Sequence, residues 1–166
     1  MELKPEKSVP ARHDHQNCID TALQEAERVL EDKGARMTGI RRLVLQYIWR
    51  NHCAVKAYDI LGFLGDRKGS AKPPTVYRAL QFLQDHGLVH RLESLNAYIG
   101  CPYPAENHNG QFLICNDCGT VKEFTTPEIL RAVDIAADTQ GFEVSHQTHE
   151  VLGRCQDCRE QGNGLD

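Results

Sequence analysis

The residues of this 166-residue chain best suited to chemistry are its seven cysteines. Four of them form two CxxC pairs, Cys115 with Cys118 and Cys155 with Cys158. A CxxC turn presents two thiolates on one side of a tight loop, and two such turns can set four sulfurs tetrahedrally around one zinc ion with bonds of ~2.3 Å. A lone CxxC would suit a thioredoxin-like redox pair equally well, but here there are two and neither sits in a thioredoxin pattern. A four-thiolate iron centre is the alternative that the donor set leaves open. The expectation is a structural zinc that staples the end of the chain to its middle, so that metal binding is part of the folding energy.

Cys101 stands apart, among prolines in "GCPYPAENHNG". The nearest residues with donor atoms are His90, His108 and Glu123. Each alone is more often a solvated side chain than a ligand. Together they offer N, S, N and O donors, a set that suits tetrahedral zinc, and the soft sulfur disfavours manganese and magnesium. His90 and Cys101 precede the linker "PYPAENHNG", whereas His108 and Glu123 come from the linker onward. A metal held there would tie two halves of the chain together and fix their angle, which is the layout of a switch. Cys18 and Cys53 have no partner in either scheme and are expected in the helical core.

These groups need elements to hold them. The chain is 40% hydrophobic and 25% charged, ordinary values for a packed globular protein. No apolar run approaches the ~18 residues of a membrane span, and the start of the sequence lacks a signal-peptide core. A cytoplasmic protein with reduced thiols and no membrane partner is the expectation.

The net charge of −4 is unevenly spread. Between Lys33 and Arg91, 11 Lys or Arg face three acids, a net of +8, whereas residues 101–166 carry a net of −7. One half is therefore suited to a polyanion and the other is not.

Residues 1–17 read as a polar tail. Four helical patterns follow. "CIDTALQEAERVLEDKG" puts Ile19, Leu23, Ala26 and Leu30 on one face. "TGIRRLVLQYIWRN" opens on Thr38 as N-cap and turns Ile40, Val44 and Ile48 inward. "AYDILGFLGDR" offers Ile60, Leu61 and Leu64. "KPPTVYRALQFLQDHG" starts on prolines suited to a first turn, stops at Gly87, and buries Val76, Ala79, Leu80 and Leu83. Its other face carries Thr75, Arg78 and Gln81 with Tyr77 at the margin, side chains able to read base edges. "LVHRLE" and "NAYIGC" then read as a hairpin, and helices followed by a hairpin make a winged helix-turn-helix.

Past a 101–110 hinge the character changes. "GQFLIC" and "GTVKEF" read as strands flanking the first CxxC, and "TPEILRAVDIAADTQG" as a helix capped by Thr126. "FEVSHQTHEVLGRC" reads as a strand leading to the second CxxC. The fold class is α+β: a winged helix-turn-helix domain over 18–100, a small α/β domain with a four-cysteine zinc knuckle over 111–160, and a short tail over 161–166. The second unit is too modest to stand without metal or partner.

"KPPTVYRALQFLQDHGLVHRLES" and "ICNDCGTVKEF" resemble the recognition helix with its wing and the zinc knuckle of the ferric uptake regulator family of metal-dependent repressors, over residues 18–160. Within that family the likeness is to the zinc-sensing branch. It implies a regulatory zinc on His90, Cys101, His108 and Glu123 beside the structural one on Cys115, Cys118, Cys155 and Cys158, hence two Zn2+ per chain. It also implies DNA contacts from Tyr58 and Arg78, and a homodimer on AT-rich inverted repeats of double-stranded DNA, repressing zinc-uptake genes. Iron- and manganese-sensing relatives place a carboxylate where Cys101 stands, and peroxide sensors use further His and Asp ligands. A sensor of one of those signals is the alternative. With "ENHNGQF" before the knuckle, a third family site is not expected, and His146 is only a weak candidate ligand.

An enzyme is not expected. A zinc deaminase would need H-x-E…P-C-x-x-C, which is missing, and a four-ligand site leaves no open position for water. A bare zinc carrier would not need the basic helical half.

Overall fold

The structure, a computed structural model, describes residues 15–51, 53–68, 72–106 and 109–162. Four helices come first: α1 (His15–Asp32), α2 (Gly39–Asn51), α3 (Ala57–Lys68) and α4 (Pro73–Asp85). The hairpin β1 (Val89–Leu92) and β2 (Ala97–Gly100) follows. Then come β3 (Gln111–Cys115), β4 (Val121–Glu123), α5 (Pro127–Thr139), β5 (His149–Gly153) and α6 (Gln156–Gly162). The helix α1 begins inside the segment expected to be a tail, and α6, which periodicity did not suggest, runs into the other expected tail. Among the described residues, no helix is long and apolar enough to cross a membrane.

The helical half is built on the four apolar stripes. Ile19, Leu23, Ala26 and Leu30 of α1 are buried, as are Val76, Ala79, Leu80 and Leu83 of α4. On α2 the inward residues are Val44, Leu45 and Ile48, while Ile40, in the first turn, is only partly covered. The two unassigned thiols also depart from expectation: Cys53, in the connection between α2 and α3, is exposed, and Cys18, in the first turn of α1, is half-buried. Pro73 and Pro74 start α4 without needing amide partners, and Gly87 ends it with φ +74°, which a residue with a Cβ rarely adopts. Arg41 of α2 lies over the ring of Phe82, 3.2 Å from its centroid, and ties α2 to α4.

The β1–β2 hairpin pairs antiparallel, His90 opposite Ile99 and Leu92 opposite Ala97. The second sheet has the order β4-β3-β5, with β3–β4 antiparallel and β3–β5 parallel. The parallel crossover is made through α5, as such connections require. Thr126 takes the N-cap position of α5 but makes no side-chain cap bond. The fully buried Gln111 serves that corner instead: its Oε1 accepts from Thr126 N–H at 2.9 Å and its Nε2 donates to Thr126 O at 3.2 Å. Phe112 and Ile114, from one face of β3, pack with Leu92 of the hairpin, so the two halves share a small core of their own.

Candidate metal centres

The Cys115, Cys118, Cys155 and Cys158 sulfurs lie within 4.8 Å of one another. The parallel pairing explains why. It sets Cys115, the last residue of β3, opposite Gly153, the last of β5, so both chains leave the sheet at the same level. The first knuckle then turns back through Gly119 at φ +71°, with Gly119 N–H donating to Cys115 O and Cys115 N–H to Thr120 O. The second opens at Cys155 and continues into α6. Arg154 clamps the two, donating from Nε to Asp117 Oδ2 at 2.6 Å and from Nη2 to Cys158 O at 2.9 Å.

The spacing suits zinc. Four sulfurs at ~2.3 Å from a central ion stand about 3.8 Å apart, and Cys118 Sγ lies 3.7 Å from Cys155 Sγ. The surroundings also favour thiolate. Backbone N–H groups of Cys118 and Cys155 bring the Cys115 thiol down to about 6, and the Thr120 hydroxyl lowers that of Cys118. Hydrogen bonding to the neighbouring Cys155 and Cys118 sulfurs raises Cys158, favouring its protonated form. A metal ion must displace that proton.

The second group is His90, Cys101 and Glu123, whose donor atoms also lie within 4.8 Å of one another. His90 comes from β1, Cys101 from the residue after β2, and Glu123 from the end of β4. Cys101 N–H donates to Leu88 O at 3.1 Å, which prolongs the hairpin by one step and turns the thiol inward. The His90 ring meets Phe112 edge-on at 5.2 Å between centroids, and its Nε2 lies 3.3 Å from Glu123 Oε1. Nitrogen and oxygen donors about 2.0–2.1 Å from one tetrahedral ion would be about 3.3 Å apart. Burial, with Glu123 and Glu106 adding to it, pushes the Cys101 thiol up to about 12. A buried thiol among carboxylates waits for a cation, which would reverse that balance and release the proton. His108 lies outside the described residues. His146 is exposed and pairs with Thr148 at 3.1 Å; it lines a cleft with His90 but is not among the donors of either group.

On the basic half, Tyr58 near the start of α3 is 81% exposed, and Thr75, Tyr77 and Arg78 are exposed on α4. Gln81 is exposed too, with its amide donating to Asp85 Oδ1 at 2.7 Å.

The residues that sequence reasoning missed are those that position the donors: Phe112, Arg154 and Gly110. For Phe112 and Arg154 no local pattern marks the role. Gly110 carries a faint signal, as a glycine directly before an apolar strand.

The family model described as "Ferric uptake regulator family" matches residues 32–152. The zinc uptake regulation protein of Escherichia coli (strain K12) is 37% identical over 139 residues, 83% of this chain and 81% of its own length. A zinc uptake regulator solved in complex with zinc and DNA superposes with a TM-score of 0.83 at 35% identity, covering 87% of this chain and 97% of that one. The crystal structure of holo XcZur superposes at 0.79 with 38% identity, covering 85% of this chain and 99% of that one. The apo form of XcZur, at 36% identity and coverage of 86% and 99%, reaches only 0.52. The chain as a whole thus superposes better on the holo form than on the apo form. With most of its length matched at this level, the chain belongs to the ferric uptake regulator family.

Proposed function

We propose that this protein is a zinc-responsive transcriptional repressor that binds two zinc ions per chain. The observation that carries the reading is the make-up of the second donor group. A buried thiol and an imidazole from the winged-helix half meet a carboxylate from the other half, with spacings that suit zinc. Support comes from relatives whose names state zinc uptake regulation, one of them solved with zinc and DNA.

In this reading Cys115, Cys118, Cys155 and Cys158 hold a structural zinc that completes the fold of the second half. His90, Cys101 and Glu123 hold the regulatory zinc. His108, the further donor that the family resemblance implies, is the fourth. Without the regulatory ion, His90 and Glu123 no longer share a partner, and the winged helix is free to take other angles. With it, one angle is selected, Arg78 and its neighbours on α4 enter the major groove, and Tyr58 meets the adjoining backbone or bases. To move such an equilibrium from 1:99 to 99:1, zinc must favour the closed form by ~5.5 kcal/mol. DNA must then tighten zinc binding by the same factor that zinc tightens DNA binding.

The repressor acts as a homodimer on AT-rich inverted repeats. Supporting this, no residue of α5 is buried, and Ile135 and Phe142 are 68% and 69% exposed. Leu113 and Val151, opposite each other on the outer face of the sheet, are half-exposed as well. A second copy would cover this apolar face. The thiol at Cys101 disfavours an iron or manganese sensor.

The test is binding to an AT-rich inverted repeat across buffered free zinc, with manganese and ferrous iron in parallel. Steep dependence on zinc alone, at concentrations that leave one zinc per chain permanently bound, is the expected result. Binding that ignores zinc and follows another metal would overturn the zinc assignment.

A further inference from the structure

The face of the second sheet that is turned to the wing carries two carboxylates, and only one belongs to the metal group. Phe112 in the central strand pairs with Glu123 on β4 and with Glu150 on β5, so the three side chains form one row across the sheet. Phe112 packs against Leu92 of the wing, and Glu123 reaches His90. Glu150 reaches the turn of the wing hairpin. Its Oε1 accepts from Glu93 N–H at 2.7 Å and its Oε2 from Ser94 N–H at 3.0 Å.

The turn is shaped for this. Asn96, with φ +46°, lets the chain reverse, and its N–H donates to Glu93 O, leaving the Glu93 and Ser94 N–H groups to point out of the turn. Two successive amides make a small anion-binding concavity, and a carboxylate fills it with both oxygens engaged. The Glu93 carboxylate would repel that approach, but it is turned to Arg91, 3.1 Å away. A glutamate on one half thus grips the main chain of the other, using no metal.

We propose that Glu150 is a positioning residue for DNA binding, a latch that holds the wing in its DNA-competent orientation and lowers the zinc concentration at which the repressor closes. This rests on the zinc-responsive reading above for its effect on zinc, though not for the latch itself. The wing is the lever through which the second half can aim α4, because β1 follows α4 directly. The latch is made chiefly by two backbone amides of the wing, with the Ser94 side chain adding to them.

The test uses the full chain with its structural zinc in place, comparing wild type with Glu150→Gln, which keeps the shape, and Glu150→Ala. Amide hydrogen exchange is followed at Glu93 and Ser94, with Phe112 and Ile114 as internal controls. Operator binding is measured across buffered zinc. Both variants should lose protection at the two wing amides while the controls hold, and the free zinc for half-occupancy should rise about tenfold. Unchanged protection at Glu93 and Ser94 in Glu150→Gln overturns the latch. Lost protection with an unmoved zinc requirement overturns its role in positioning. Should wild type bind DNA regardless of zinc, the zinc-responsive reading fails by itself, and the latch then stands only if the variants bind that DNA more weakly.

Discussion

Gly110 lies so close beneath Phe112 that a Cβ on it would stand 2.5 Å from the ring's Cε2, a distance that carbon atoms do not sustain. The same Cβ would come within 3.3 Å of His90 Nδ1. The ring that the glycine admits is fully buried, joins the sheet to Leu92 of the wing, and braces the His90 imidazole from the side. A missing side chain on the linker therefore sets the position of a donor on the wing.

Replacing Gly110 with Ala should force Phe112 off its rotamer and tilt His90. The expected cost is ~1–3 kcal/mol of stability, in the range of overpacked cores. Zinc should bind the second group more weakly while the four-cysteine group is unaffected. Urea unfolding and competition with a zinc chelator check both, and a variant with wild-type affinity at both sites would show that Phe112 does not position His90.

Cys101→Ser and Cys155→Ser should separate the two groups. The first leaves the fold and one tightly held zinc, and removes zinc-dependent DNA binding. The second leaves Arg154 and Asp117 with nothing to clamp, unfolds the second half and abolishes the dimer. Metal content, circular dichroism and sedimentation read the difference. Equal melting of the two variants would mean that the division into structural and regulatory sites is wrong.

Arg78→Ala should weaken specific DNA binding by about 1–3 kcal/mol, the value of a good bidentate contact to a base, with both zinc ions retained. Anisotropy titrations on operator and scrambled DNA distinguish two cases. A loss confined to the operator places Arg78 on a base edge; an equal loss on both places it on a phosphate.

Acid should release the Glu150 contact. Burial works to raise the Glu150 carboxyl, but the Ser94 side chain and backbone and the Glu93 N–H outweigh it and hold the group below its ordinary value. The charged groups beside it on the hairpin, Arg91 and Glu93, pair with each other. A carboxyl with a lowered folded value contributes stability that is fully present above its unfolded value of about 4.3, and loses it as pH falls through the folded one. Glu150→Gln should therefore be less stable than wild type at pH 7, and the gap should close in acid. The Glu93 and Ser94 amide resonances should titrate below pH ~4.3; a midpoint at or above it would rule out the ionised contact.

Much of the protein could be read along the chain, because much of it is local. Pro73 and Gly87 bound the α4 helix by their own backbone restrictions, and its buried stripe follows from the helical repeat. The two CxxC turns carry their chemistry in their spacing. Ile40 and Leu45 show the edge of that legibility: the repeat gives the stripe, and packing decides how deeply its end is covered and which flanking residue joins it. The exposed Cys53 shows it again, since a small apolar residue near a helix end satisfies no pattern.

What the sequence determined by itself is which residues could act as donors, at His90, Cys101, Glu123 and the four knuckle cysteines, and which helix presents Arg78. Only the tertiary structure decided that Cys115 and Cys155 leave the sheet side by side, and that Glu123 and Glu150 share a row with Phe112. The physical reason is register. Strand residues alternate faces with a period of two, so one step of slippage would turn both glutamates to the other side, and nothing local in "VKE" or "HEVLG" states which side that is. Pairing between strands far apart in the chain makes that choice, and with it the meeting of Glu123 with His90 and of Glu150 with the wing.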